Sequence, residues 1–189
     1  MSRMLARLVA AAVLACSGAS AAGAPAADLH QHLLSPGIAA LGGPASGIVE
    51  LGPDQLVALL DQAGIRRGVV MSVAYMYGKP SRTVADEYAR VKAENDWTGA
   101  QAARYPGRLL AFCSFNPLRD YALAELARCA ASPQLRHGIK LHFGNSDVQL
   151  ENPEHIGKLR AVFGAANQNK MAIAVHLRAS ISPKRPYGE

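Results

Sequence analysis

Two histidines stand one residue apart near the start of the chain, in the stretch Asp28-Leu29-His30-Gln31-His32. In an extended strand, alternate side chains share a face, so His30 and His32 point the same way while Gln31 points away. Neutral imidazoles are common zinc ligands, and two on one face can meet a single ion. A histidine pair that serves only the structure has the same spacing, so both interpretations remain open at this point.

A lysine and a histidine share one face of a later apolar stretch, Gly138-Ile139-Lys140-Leu141-His142. Burying the ammonium group of Lys140 in an apolar strand is unfavourable unless the group has a partner or a function. One interpretation places Lys140 and His142 in a functional site. The other pairs Lys140 with an acid such as Asp28 in a structural salt bridge.

Two alanines alternate with larger residues before a histidine in the stretch Met171–Leu177. Ala172, Ala174 and His176 alternate along one face of this segment. Small side chains below a terminal histidine suit the crowded interior of a barrel with a ligand at its mouth. A histidine that merely ends a strand is the alternative, and it would be favoured if His176 stood alone.

Strands and helices that would position these groups alternate along the chain. The predicted strands are short apolar runs, as in parallel sheets buried on both faces; they are Ala27–His32, Gly68–Tyr75, Arg108–Phe115, Gly138–Phe143 and Met171–Leu177. Between them lie amphipathic segments that are predicted helices: Pro53–Ala63, Ser81–Tyr105, Leu123–Ala130 and Asn152–Ala166. This alternation predicts an α/β fold with a parallel sheet.

Two parallel α/β architectures fit this alternation. A doubly wound sheet would carry a glycine-rich loop after its first strand, where this chain has Gln31-His32-Leu33-Leu34. A (β/α)8 barrel, or TIM barrel, typically needs about 250 residues, whereas this chain has 189. We therefore predict an incomplete TIM barrel with about five βα units, shortened at its C-terminus.

The composition is that of a globular protein, with 50% hydrophobic and 18% charged residues and a net charge of +6. Lysines and arginines form no run and no stripe interleaved with aromatic residues, which argues against a nucleic-acid partner. We expect a small-molecule substrate instead, and the sequence leaves open whether the chain forms a homo-oligomer.

The first 21 residues predict a signal peptide. Arg3 and Arg7 precede the apolar run Leu8–Ala15, which is too short to span a bilayer, and Ala19-Ser20-Ala21 is an A-x-A cleavage pattern. We expect residues 22–189 to form one domain that is exported to a bacterial periplasm or secreted, with no membrane span. Lipid anchoring at Cys16 is the less favoured alternative.

The other two cysteines, Cys113 and Cys129, show no CxxC spacing. Export would expose them to an oxidising environment in which they could pair. Whether their geometry permits a bond is not decided by the sequence.

Six motifs in order resemble one protein family: D-L-H-Q-H, E-N-D-W, A-R-Y-P-G-R-L, F-C-S-F-N-P-L, G-I-K-L-H-F-G-N-S and V-H-L-R. Together they are similar to the amidohydrolase superfamily, and within it to the amidohydrolase-related (amidohydrolase 2) branch of metal-dependent TIM-barrel hydrolases. The resemblance extends from Asp28 to Gly188, which is nearly the whole predicted domain.

The resemblance implies a divalent metal, most often zinc. Position by position, it assigns His30, His32 and His176 as ligands and aligns Lys140 with a lysine that is carboxylated and bridges two metals in binuclear relatives. In many mononuclear relatives that lysine is not a ligand, so one or two metals remain open. A further ligand histidine after strand six and the general-base aspartate after strand eight have no counterpart here, and the catalytic residue is therefore unassigned.

The activity implied by the resemblance is hydrolysis of a C–N or C–O bond in a small amide, ester or lactone by a metal-bound hydroxide. Arg178 and His142 are candidate substrate-binding residues, although Arg178 fits a surface charge equally well. A metal-dependent decarboxylase of the same fold is one alternative. A non-catalytic fragment or binding module is the other.

Overall fold

Five parallel strands form the sheet of this computed structural model, which describes residues 25–177. Their order in the sheet follows their order in the chain. The strands are β1 (Ala27–Gln31), β2 (Arg67–Met71), β3 (Leu109–Ser114), β4 (Gly138–His142) and β5 (Ala172–His176). The five predicted strands and their parallel pairing are confirmed, whereas the predicted signal peptide and Arg178 lie outside the described residues.

Helices connect the strands. They are α1 (Pro36–Gly42), α2 (Pro53–Gln62), α3 (Glu87–Ala103), α4 (Ala122–Ala131), α5 (Phe143–Ser146) and α6 (Pro153–Gln168), with 3-10 turns at Pro44–Ser46 and Ala74–Met76. None of the helices within residues 25–177 combines the length and the apolar character needed to cross a membrane.

The four predicted helices correspond to α2, α3, α4 and α6. The start of α3 differs from the predicted start at Ser81, because Asp86 has a φ of 53° and this left-handed backbone cannot continue a helix toward the N-terminus. The start of α6 agrees with the sequence, since the Asn152 side chain accepts a hydrogen bond from the Glu154 N–H and Pro153 occupies the first turn.

The core lies on both faces of the central strands. Strand residues Val70, Ala111 and Ile139 are buried in one apolar cluster with helix residues such as Leu60 and Leu126. The outer strands β1 and β5 are more exposed along their length, because each has one strand neighbour among the described residues.

An apolar groove of about 610 Å³ lies beside β5. It is lined by Phe143, Leu150, Ile156, Leu159, Arg160, Phe163, Val175 and Leu177. The groove therefore lies between the exposed edge of the sheet and α6.

The first residue of β4 tests the packing of the sheet. A Cβ atom at Gly138 would lie 2.5–2.7 Å from three ring atoms of Phe112, which is itself buried. Because the buried ring must shift to admit the added methyl group, we expect Gly138→Ala to lower the free energy of unfolding by about 1–3 kcal/mol in urea denaturation.

The matched control is Gly157→Ala in α6, where a Cβ meets nothing within 4 Å. It should raise the free energy of unfolding by about 0.5–1 kcal/mol, because alanine favours helix more than glycine does. Equal stability of the Gly138→Ala variant and the unmodified chain would contradict the observed contact between β4 and Phe112.

Candidate functional site

The carboxyl ends of β1, β4 and β5 bring the predicted site residues to one edge of the sheet. His30 lies in β1 and His32 follows directly after it, Lys140 and His142 lie in β4, and His176 ends β5. His142 stands opposite His176 in the parallel register. Parallel pairing thus places five basic side chains, distant in sequence, on the same side of the fold.

Lys140 contacts His30 across the sheet. Its Nζ atom lies 3.2 Å from Nε2 of His30, and the lysine side chain is 1% exposed. A protonated ammonium group can only donate, so Nε2 of His30 accepts. The alternative partner, Asp28, instead accepts hydrogen bonds from the backbone N–H of His30 and the side chain of Gln31.

Burial lowers the pKa values of both His30 and Lys140, and nearby charges also act on His30. Burial lowers the pKa of the Lys140 ammonium. Partial burial is the largest cause of the lowered pKa of His30, and the positive charge of Lys140 lowers this pKa further. The carboxylate of Asp28 acts in the opposite direction and raises it. His30 is therefore a neutral imidazole beside Lys140 at neutral pH.

His32 is oriented by the end of β2. Its Nδ1 atom lies 2.7 Å from the Met71 carbonyl oxygen, which can only accept, so Nδ1 carries the proton and Nε2 carries the lone pair. Burial lowers the pKa of His32 to about 4; the Met71 carbonyl opposes this shift, and the nearby His30, Lys140 and His176 reinforce it. A neutral ring whose other nitrogen is fixed by a carbonyl is the state that a metal-ligand histidine requires.

Three rings cluster at the same edge. His142 stacks on His176 with ring centroids 4.2 Å apart, and the ring centroid of Tyr75 lies 5.0 Å from that of His142. The backbone N–H of Asn145 donates to Nδ1 of His142 at 3.0 Å, so that nitrogen carries no proton. Burial raises the pKa of the Tyr75 phenol to about 12, and Tyr75 is thus uncharged.

Tyr75 was not identified from the sequence as a site residue. The only signal was its position, since Tyr75 ends the predicted strand Gly68–Tyr75, and the ends of parallel strands share an edge. In the structure β2 ends at Met71, and Tyr75 belongs to the 3-10 turn that follows.

The candidate metal-ligand atoms at this edge of the sheet are widely spaced. Within residues 25–177, the one set of three His, Cys, Asp or Glu ligand atoms lying within 4.8 Å of one another belongs to Cys113, Glu125 and Cys129. The nitrogens of the three predicted ligand histidines are less closely gathered. Their neutral state and the orientation of His32 fit a divalent metal, while the contact of Lys140 with Nε2 of His30 occupies one lone pair that a metal would use.

Two buried residues of α3 hold the segments that carry the site. Ser35, the N-cap of α1 just after His32, donates to Oε2 of Glu94 at 2.5 Å. The neighbouring Asn95 binds both polar backbone atoms of Ser114, with its Nδ2 donating to the carbonyl and its Oδ1 accepting from the N–H, each at 2.9 Å. Both residues belong to the E-N-D-W motif, which thus anchors the cap of α1 through Glu94 and the end of β3 through Asn95.

Comparison with solved structures shows the same fold at low sequence identity. No family model matches the chain, and no curated protein matches it. The 5-carboxyvanillate decarboxylase of Sphingomonas paucimobilis aligns with 82% of this chain and 52% of its own, at 16% identity and a TM-score of 0.60. An amidohydrolase II aligns with 86% of this chain and 54% of its own, at 18% identity and a TM-score of 0.63.

A third structure, the 2,6-dihydroxybenzoate decarboxylase from Rhizobium, aligns with 84% of this chain and 51% of its own, at 19% identity and a TM-score of 0.59. The chain spans about half the length of the solved structures that it matches. The predicted α/β fold, an incomplete TIM barrel, is confirmed by this likeness.

The buried carboxyl group of Glu94 predicts an unusual dependence of stability on pH. Burial raises its pKa from 4.5 to about 7, although the Ser35 hydrogen bond opposes the shift. The folded chain thus retains a proton that the unfolded chain loses, so the free energy of unfolding falls as pH rises from 4.5 to about 7. The full decrease is about 3 kcal/mol.

Glu94→Gln removes the titrating carboxyl group. We therefore expect the free energy of unfolding of this variant, relative to that of the unmodified chain, to rise by about 3 kcal/mol from pH 4.5 to about 7. Urea denaturation at several pH values in this range measures the difference. Ser35→Ala is the opposing variant. Because it removes the hydrogen bond that favours the charged carboxylate, the decrease in stability should extend to higher pH. Parallel pH profiles for Glu94→Gln and the unmodified chain would contradict the assigned pKa.

Proposed function

We propose that this chain carries the metal-binding part of an amidohydrolase-related enzyme that hydrolyses a C–N or C–O bond of a small amide, ester or lactone. The observation that supports this function is the convergence of His30, His32, Lys140 and His176 at the carboxyl edge of the sheet. Active sites of TIM-barrel enzymes lie at that edge, where loops after several strands supply the reacting groups.

His30, His32 and His176 would hold the metal, for which zinc is the first candidate. A zinc ion bound by three imidazoles supplies Lewis-acid chemistry that activates water and polarises a carbonyl group. The carbonyl of Met71 fixes His32 with Nε2 available as a ligand. Nε2 of His30, which Lys140 contacts in this structure, would have to be released by Lys140 to serve as a ligand. Carboxylation of Lys140 would convert this competing cation into an anionic ligand.

Tyr75, His142 and His176 form a cluster of rings at this edge of the sheet. His142 and His176 stack with their ring centroids 4.2 Å apart, and the Tyr75 ring is tilted by 43° to that of His142. A stacked pair offers its ring edges to a planar substrate. His142, which is only partly buried, is thus the proposed substrate contact among the described residues, and the buried Tyr75 packs behind it. Arg178 follows two residues after His176, and we assign it to a substrate carboxylate on the basis of the sequence alone.

A decarboxylase is the second candidate function. Two of the three solved structures reported above are decarboxylases, and they share the fold of this chain. The two reactions differ in product, because hydrolysis incorporates an oxygen atom from water, whereas decarboxylation releases CO2. Isotope-labelled water and CO2 detection, applied to lactone, ester and aromatic carboxylate substrates, therefore distinguish the two activities.

Zinc binding tests the proposed ligands without requiring turnover. After chelation and reloading, the full chain should bind zinc in a calorimetric titration, and His30→Ala and His176→Ala should each weaken binding by about tenfold or more. The matched control is His137→Ala, which removes an imidazole at the amino end of β4, the opposite edge of the sheet. Unchanged zinc affinity in both ligand variants would contradict the proposed site.

Export is also part of the proposed function, and it rests on Arg3, Arg7, the apolar run after them and the Ala19-Ser20-Ala21 pattern. We expect N-terminal sequencing of the exported protein to begin at Ala22 or a few residues beyond it. A mature protein that retains Met1 would contradict export by this route.

A further inference from the structure

A second cluster of reactive side chains lies between β3 and α4. Cys113 of β3 and Cys129 of α4 form a disulfide, which decides the pairing that the sequence left open. Both cysteines and Glu125 of α4 are 0% exposed. These groups take no part in the proposed hydrolysis, and a carboxylate at such depth beside two sulfur atoms requires an explanation of its own.

Oε1 of Glu125 lies 3.5 Å from Sγ of Cys129 and 3.9 Å from Sγ of Cys113. The same oxygen accepts hydrogen bonds from Nδ2 of Asn95 at 2.7 Å and Nη2 of Arg128 at 2.8 Å. Disulfide sulfurs carry no proton, so in the oxidised protein these two N–H groups are the donors to Oε1. They fill both of its lone pairs.

Reduction changes this balance of donors. Two S–H groups then lie beside an oxygen whose lone pairs are already used, and they compete with the existing donors. Arg128 is held more firmly, because its charged guanidinium also donates through Nε to Oε2 of Glu125 at 2.9 Å. The neutral amide of Asn95 is therefore the donor that reduction weakens.

Asn95 connects this cluster to the candidate site. Its amide holds the N–H and the carbonyl of Ser114, the residue that ends β3. Oγ of Ser114 accepts from the backbone N–H of Tyr75 at 3.2 Å, and the Tyr75 ring lies 5.0 Å from His142. A continuous series of contacts thus runs from the two sulfur atoms to the edge of the sheet.

We propose that Cys113 and Cys129 form a redox modification site whose state sets how firmly Ser114 and Tyr75 are held beside the candidate site. A small-molecule disulfide is the oxidant: the two cysteine thiols become one protein disulfide, and the oxidant is reduced to two thiols by the two protons and two electrons that they release. A dithiol reverses the step. Because the sulfurs are buried, both directions require local opening of α4.

A metal ion is the other chemistry that this ligand set allows, since the two Sγ atoms and a carboxylate oxygen lie within 4.8 Å of one another. The structure favours the disulfide. The sulfurs are bonded to each other, and the oxygens of Glu125 are already committed to Asn95 and Arg128.

Thiol counting gives the first test. In the full chain carrying Cys16→Ser, equilibrated with oxidised glutathione and then denatured, we expect no reactive thiol before reduction and two afterwards. Two reactive thiols before reduction would overturn the proposed pairing and its redox function.

Hydrogen exchange gives the second test, because it reports the hold on individual backbone amides. Reduction of the full chain should accelerate exchange of the Ser114 and Tyr75 amides about tenfold or more, while amides that pair β4 with β5 serve as internal controls. Equal exchange of Ser114 and Tyr75 in the oxidised and reduced protein would overturn the coupling.

Two double variants distinguish the effect of extra hydrogen-bond donors beside Glu125 from the effect of losing the disulfide bond. Cys113→Ser with Cys129→Ser removes the bond but retains two donors beside Glu125, whereas Cys113→Ala with Cys129→Ala removes both. We expect the serine pair to reproduce the fast exchange of the reduced protein at Ser114 and Tyr75, and the alanine pair to remain slower there. Equal acceleration in both pairs would show that only the crosslink matters and would overturn the relay through Glu125.

Discussion

Parallel hydrogen bonding between β4 and β5 sets Lys140 opposite Ala174 and His142 opposite His176. Because β1 runs in the same direction, His30 reaches Lys140 although the two residues are 110 positions apart in the chain. The small side chain of Ala174 leaves room beside the long side chain of Lys140. The site therefore depends on backbone pairing first, and on side-chain chemistry only after the strands are in register.

Buried polar side chains of α3 and α4 form a second layer that fixes the strand ends. Glu94 binds the cap of α1, and Asn95 binds both backbone atoms of Ser114. Glu125 joins Asn95 to α4, where Arg128 balances its charge. Burying such groups is unfavourable unless they are hydrogen-bonded, so their partners must hold well-defined positions, and those positions orient the turns at the edge of the sheet.

The same chemistry explains which features the sequence could predict. Alternation along apolar strands placed His30, His32 and His176 correctly at one edge, because the period of two is set by the backbone. The helices α1 and α5 span seven and four residues, too few for a periodic pattern. The contact of Lys140 with His30 and the bond between Cys113 and Cys129 are tertiary, and strand and helix patterns carry no information about such partners.

The lone pair at Nε2 of His30 connects the electrostatics of the site to its proposed chemistry. It accepts from Lys140 in this structure, and a metal ion at the same nitrogen would leave that ammonium, at 1% exposure, without this partner. A buried cation without a partner is unfavourable, so a negative group must then compensate it. A substrate carboxylate would supply this charge from outside, whereas carboxylation of Lys140 would remove the cation and create an anion. Both routes would answer the same electrostatic requirement, which exists because the fold buries Lys140 beside His30.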